Sequence, residues 1–321
     1  MYKIIKSNTL KMAISSTIAI FISNFLGLEF AVTSGIIAIL SIQNTKKEAI
    51  NIGLKRIFAA LIAIFLSLIL FVWLGNSAII FGLFLVIFIS ISKKIKIEEG
   101  IAVGAVLSTH LLTSPSINVY WIKNEIFLTL IGIGVAMIFN FVTVSSEEEF
   151  EKNRIKIEEK FKVLLLDMSE SLMSQAVPIY QQKILIDLSE LITETEYIAN
   201  SIYNNYLFRR FDYYTKYMDM RIIQFDIIKK MNKHFSRFYM TYNQTKMLSD
   251  FTKNIALNIS ENNDCIELIK ELNLLKNEYK NMELPRTRDE FENRALLFQF
   301  LNDLEEFLLV KKEFIILSYR R

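Results

Sequence analysis

From Ile57 to Ser92 the chain runs for 36 residues without one charged side chain. A helix needs only about 20 apolar residues to cross about 30 Å of hydrocarbon, so this run is long enough for two crossings. Gly75-Asn76-Ser77 supplies the turn between them. Four more charge-free runs flank it: Met12–Leu28, Phe30–Thr45, Gly100–Ile122 and Ile126–Ser146. The spacing predicts six membrane-spanning helices near 8–27, 30–45, 53–74, 77–92, 98–114 and 123–144. The first is not read as a cleaved signal peptide, because it lacks a small-residue cleavage site and further spans follow at once.

Charge divides the chain at the same place. Residues 1–144 carry 11 basic and 5 acidic side chains, whereas the remainder carries 26 and 29. A positive mean hydropathy of +0.31 therefore averages two unlike halves. The expected organisation is a transmembrane domain over 1–146 and a cytoplasmic all-helical domain over 147–321. Lys and Arg near the span ends set the orientation. Lys3, Lys6, Lys11, Lys46, Lys47, Lys55, Arg56, Lys93, Lys94 and Lys96 fall on one side, against Lys123 alone on the other. Both termini are thus expected in the cytoplasm, with the chain multi-pass in a cytoplasmic membrane. The same Lys-rich turns suit anionic lipid headgroups.

Several chemistries are disfavoured by the composition. Cys265 is the single cysteine, and His110 and His234 lie far apart in sequence, so a Cys/His zinc site is not expected. All nine glycines lie between Gly27 and Gly134, leaving no glycine for a phosphate-cradling loop in the second half. No hydrolase, zincin or kinase motif is present. Neither an enzyme nor a bound metal or cofactor is expected. The net acidic second half argues against nucleic acid as a partner.

Polar side chains inside the apolar half are costly unless paired or facing water. Asn24, Thr33, Ser34, Gln43, Asn44, Lys46, Lys47, Lys55, Arg56, His110 and Asn140 are the candidates for a substrate pathway. For the Ser and Thr positions, interhelical hydrogen bonding is the plainer explanation. Helix two is read as continuous to its polar end, which would set Gln43 about 4–5 Å along the axis from Lys46. Helices two and four read as short. Gly100 and Gly104 suit close helix packing. The string Ser34–Ser41 resembles Glu99–Ser108, about 65 residues later. Three helices per copy would make the second copy inverted, the arrangement of transporters with a site between repeats.

The second half reads as a helical bundle. Ile157, Phe161, Leu164, Leu165, Met168 and Leu172 form one apolar stripe, ended before Pro178. Leu185, Leu188, Leu191, Ile192, Ile198 and Ile202 form a second, and Tyr214 to Tyr242 supplies a third. A fourth segment covers about 262–282. The last helix opens at Thr287 with Glu290 as a reciprocal capping box and is expected to bury Phe291, Ala295, Phe298, Leu301, Leu304 and Leu308. Arg209 and Arg210, inside an aromatic run, are either a solvated pair or a contact for an aromatic carboxylate.

Two strings carry a resemblance. Ser34-Gly35 through Gln43, Asn44, Thr45, Lys46 and Lys47 resembles the second-helix signature of the bacterial aromatic acid exporter family, member-1 type. Leu284, Pro285, Thr287, Arg288, Glu290, Phe291, Arg294, Ala295 and Phe298, continuing to Leu308, are similar to the end of that family's C-terminal domain. Asp289 stands where Glu is more usual, a conservative departure. The architecture is more distantly similar to fusaric-acid-resistance proteins and plant aluminium-activated malate transporters. The resemblance implies a bacterial inner-membrane protein exporting small organic, and specifically aromatic, carboxylates as a homo-oligomer. The competing reading is a non-transporting membrane-anchored sensor or scaffold acting through its helical domain. Arg288 and Arg294 are expected to pair with acidic groups on a neighbouring helix or subunit.

Overall fold

A computed structural model describes residues 8–114, 117–142, 146–174, 181–207, 212–235 and 243–319. Twelve α-helices and one 3-10 turn account for nearly all of them, and no strand occurs among the described residues. The chain divides into two compact units, residues 1–145 with 204–209 and residues 146–203 with 210–321.

The first unit contains α1 (Asn8–Phe25), α2 (Val32–Ser41), α3 (Lys46–Leu74), α4 (Ala78–Lys94), α5 (Ile101–Thr113) and α6 (Val119–Phe141). Two of them, α3 and α6, are long and apolar enough to cross a membrane by length and composition. At 1.5 Å per residue the 29 residues of α3 reach about 43 Å, while the 10 of α2 reach only about 15 Å. The surface is apolar: Phe21, Phe65, Trp73, Ile79 and Ile138 are all exposed. The interior holds Ser23, Ser34, Arg56, Ser67, Ser108, Glu125 and Asn140, all buried. A water-soluble domain has the opposite distribution.

Several boundaries differ from the sequence expectation. Helix two stops at Ser41, and Ile42 is extended. Thr45 then caps α3 by accepting from the Glu48 amide at 3.4 Å, so α3 starts seven residues before position 53. Lys46 and Lys47 thus belong to the first turn of α3, and helix two is not continuous with them. The short helices are two and five, because α4 has 17 residues and α5 has 13. Helix six begins at Val119, where the Asn118 side chain accepts from the amides of Tyr120 and Trp121 at 3.0 and 3.3 Å.

Glycine sets the closest helix approaches. A Cβ on Gly132 of α6 would lie 2.6 Å from the Ser34 carbonyl oxygen of α2. One on Gly100 or Gly104 would meet Ala59 or Phe88 and Ala63 at under 3.0 Å, in line with the packing role expected of that pair. The helix partnerships repeat between the two halves of the unit. α2 packs on α6 as α5 packs on α3, and α1 packs on α6 as α4 packs on α3.

The second unit is built from α7 (Glu147–Ser174), α8 (Gln181–Asn205), α9 (Tyr213–Phe235), α10 (Asn243–Leu257), α11 (Ile266–Asn281) and α12 (Arg288–Tyr319). The first stripe is buried throughout, and Leu188, Ile192, Ile198 and Ile202 join the same core. Helix α10 was not expected as a separate element. Its Leu248, Phe251, Ile255 and Ala256 are buried, and it packs along α7. Phe238, Tyr242, Arg209, Arg210 and Pro178 lie outside the described residues, as does the His234 side chain.

Candidate functional site

Two polar clusters mark the ends of α2. At its C-terminal end, Arg56 of α3 is only 6% exposed. Its Nη1 donates to Ser41 Oγ at 2.8 Å and its Nε to the Glu99 carbonyl at 3.2 Å. Lys55 Nζ pairs with the Glu99 carboxylate at 2.7 Å. Asn140 of α6 uses both ends of its amide here. It donates to the Ser41 carbonyl at 2.9 Å and accepts from the Gln43 amide at 3.1 Å, capping the helix where its own hydrogen bonds run out. Gln43 donates to Leu40 O, and exposed Asn44 accepts from Asn8. Arg56, Lys55 and Asn140 thus meet in one place. Lys46 and Lys47 do not share a helical turn with Gln43.

The cluster at the N-terminal end is organised around a residue the sequence reading passed over. Glu125 of α6 is fully buried, and its Oε2 lies 2.9 Å from His110 Nδ1. Asn124 Nδ2 donates to Glu125 Oε1 at 3.1 Å, and the other ring nitrogen of His110 lies 3.2 Å from Thr33 Oγ1. Thr33 of α2 and His110 of α5 therefore join the two short helices. Phe30 stacks on the imidazole with centroids 4.1 Å apart and planes 10° from parallel. Its φ of 55° is in the left-handed region, where a bulky residue costs about 1–3 kcal/mol. Such strain persists only where the surroundings impose it. Charge-free runs pass over Glu125 because it falls between the runs Gly100–Ile122 and Ile126–Ser146. The signal was there, since Asn118 caps a helix that carries Glu125 into its second turn.

The remaining candidates are more ordinary. Ser34 accepts from Ser23 at 2.8 Å and Ser67 donates to Ser108 at 2.9 Å, which are interhelical bonds of the expected kind. Asn24 is exposed on α1 and lies outside both clusters.

In the second unit the family-like motif behaves differently from the expectation. Thr287 accepts from the Glu290 amide at 3.1 Å, but Glu290 accepts from the Arg286 amide at 2.9 Å and not from Thr287. The two bonds are there, and the second is displaced by one residue. Phe291 is 60% exposed and Phe298 41%, with Ala295 also exposed. They do not enter the core. With Leu284 and Pro285 they line an open cavity of about 320 Å³. The buried face of α12 is turned to Asn293, Leu297, Phe300, Leu301, Leu304 and Leu308. Arg288 and Arg294 pair within their own helix, with Glu292 at 2.9 Å and with Glu290. Arg294 also donates to the Glu283 carbonyl at 2.6 Å, fastening the proline-containing loop to α12.

A charged network crosses this unit's core. Glu158 of α7 accepts from Arg221 Nη2 at 2.6 Å and from Tyr217 OH at 2.8 Å. Lys311 of α12, 3% exposed, donates to the Glu261 carbonyl at 2.8 Å. Burial, and next the Arg221 cation, push the Lys311 ammonium down to about 8. Burial pushes the Cys265 thiol up to about 11.

The comparisons cover both units. A family model described as "Aromatic acid exporter family member 1" matches residues 3–143, and one described as "Putative aromatic acid exporter C-terminal domain" matches 147–312. The chain belongs to the aromatic acid exporter family, member 1. "Uncharacterized protein YqjA" of Bacillus subtilis (strain 168) is 33% identical over 306 residues, covering 95% of each chain. "UPF0421 protein OB2406" of Oceanobacillus iheyensis is 23% identical over 251 residues, 77% of this chain and 64% of that one. "Crystal structure of putative membrane protein from Clostridium difficile 630" is similar at 27% identity and TM-score 0.48, over 53% of this chain and 98% of that chain. Membership makes this a membrane protein of an exporter family, with apolar helices α3 and α6 to match.

Proposed function

We propose that this protein is a six-span inner-membrane exporter of small aromatic or other organic carboxylates, working by secondary transport or a channel-like path. Both termini lie in the cytoplasm, the second unit is a cytoplasmic domain, and the assembly is a homo-oligomer with anionic lipid at its Lys-rich turns. The observation that carries the reading is Arg56, a guanidinium 6% exposed on an apolar helix in a family of exporters. An ionisable group in such a place is retained for a pathway more often than for stability. Ser41 and the Glu99 carbonyl hold it in a fixed orientation at the end of a half-length helix. A guanidinium held so can take a carboxylate in two parallel bonds. Support also comes from the repeated helix partnerships and from short helices at corresponding positions of the two halves, where transporter sites form.

Efflux of labelled aromatic carboxylates from cells with and without the protein tests the reading. Arg56→Lys keeps the charge that sets topology and removes the planar fork. The expected variant inserts normally and exports poorly. Export at the wild-type rate would leave Arg56 with a topological role alone. A reporter fused after Ser146 that is active only outside the cell would overturn the orientation.

A further inference from the structure

We propose that His110 and Glu125 form a proton-binding site through which one proton enters for each carboxylate exported, with Phe30 as its cover. The proposal rests on the exporter reading and adds its coupling ion. Its ground is geometry. Glu125 is fully buried on an apolar helix, in contact with His110, itself 7% exposed. A carboxylate there is costly unless it shares a proton with its partner, which is the arrangement of proton relays.

The neighbours suit two protonation states. With one proton on the Nδ1–Oε2 contact and Nε2 bare, the pair carries one negative charge. A second proton, on Nε2, leaves an imidazolium beside the carboxylate and the pair neutral overall; its release restores the anionic pair. Thr33 can serve both states, because its hydroxyl donates to a bare Nε2 and accepts from a protonated one. Asn124 stays on Glu125 Oε1 and ties it to the Glu29 backbone, accepting from the Glu29 amide at 2.9 Å and donating to its carbonyl at 3.1 Å.

No other titratable side chain is brought onto the pair by the described contacts. Glu29 reaches Asn124 through its backbone and its side chain is exposed, as is Lys123. Between Ile57 and Leu74, α3 carries no charge. The organic anion is a poor occupant of the site, because Glu125 would repel it; the Arg56 end is where an anion fits. The pair also lies at the ends of α5 and α6 away from the Lys-rich turns, the side from which protons enter a cell. Phe30, half exposed and strained, covers the imidazole there and closes against Trp121, 6.0 Å away between centroids.

The test uses the full-length protein in liposomes with an acidic lumen, the membrane potential clamped, and labelled benzoate as the probe. Antiport drives benzoate into the acidic lumen, whereas passive leakage of the neutral acid drives it toward the alkaline side. One proton per anion and a gradient of about one pH unit support about tenfold accumulation. Wild type is expected to reach that and also to exchange labelled for unlabelled benzoate with no gradient. Glu125→Gln keeps the shape and is expected to exchange but not to accumulate. If Glu125→Gln is not monodisperse in detergent, His110→Gln is read in its place. Accumulation retained by the variant overturns the proposal. So does loss of exchange and accumulation together in a folded variant, which would put the pair on the substrate path. Wild-type exchange indifferent to the gradient overturns the proton site and leaves the exporter reading standing. Absence of wild-type exchange with benzoate and with every other labelled aromatic carboxylate tried overturns both.

Discussion

Lys311 gives a pH dependence whose sign is fixed by burial. Its ammonium sits at about 8 in the folded chain against an ordinary 10.5, so between these values the unfolded chain binds more protons. Stability then rises with pH across that window, and below pH 8 the folded state carries the full cost of a buried charge. A drop of roughly 2.5 units at 1.36 kcal/mol each corresponds to about 3 kcal/mol. Lys311→Met keeps most of the stem and removes the charge. The stability of residues 146–321, followed by far-UV circular dichroism in urea, is to be compared for the two forms from pH 7 to 10.5. Cys265, raised by burial, pulls wild-type stability down over roughly pH 9–11, but it is common to both forms and largely cancels in the difference. The expected outcome is that wild type gains about 3 kcal/mol on Lys311→Met as the pH rises. A difference that stays constant within about 1 kcal/mol over the window would refute the argument, since no proton uptake would then separate the two states at this site.

Two further outcomes follow from where side chains sit. Phe300→Ala should cost the second unit about 3–5 kcal/mol in denaturant titration, because Phe300 is fully buried. Phe298→Ala, two residues away and 41% exposed, should stay within about 1 kcal/mol; equal costs would mean that α12 is rotated. Gly132→Ala places a methyl group 2.6 Å from the Ser34 carbonyl, a backbone atom that cannot swing aside. It should cost about 1–3 kcal/mol and lower the yield of monodisperse protein in detergent, and an unchanged melting temperature would show that α2 and α6 are not in close contact.

Much of the fold was legible in the sequence for a simple reason. Charge is the most expensive thing to bury, so long charge-free runs report where apolar helices lie whatever surrounds them. The six helices of the first unit and the stripe from Ile157 to Leu172 follow from that and from helical spacing. The same rule fails at Glu125, because a charge buried with a partner interrupts a charge-free run without ending the apolar helix. It fails again at Phe291 and Phe298, whose apolar character fits a core face but which line an open cavity. Helix α10 is not expected although Leu248, Phe251 and Ile255 keep helical spacing, because the third stripe is read to Tyr242 and the fourth segment from about 262, leaving its residues unassigned between them.

What the sequence determined by itself is the set of local and additive properties. These are helix rather than strand, an apolar half before a charged half, and the cap at Thr287. Tertiary structure alone decided which polar groups meet. His110 and Glu125 are 15 positions apart, Thr33 and His110 are 77 apart, and Ser41 and Arg56 face each other across a broken helix. Such pairings depend on the rotation and separation of packed helices, and here those are set by glycines that let backbones approach at Ser34 and Ala59. No periodicity along one helix encodes the angle at which another crosses it.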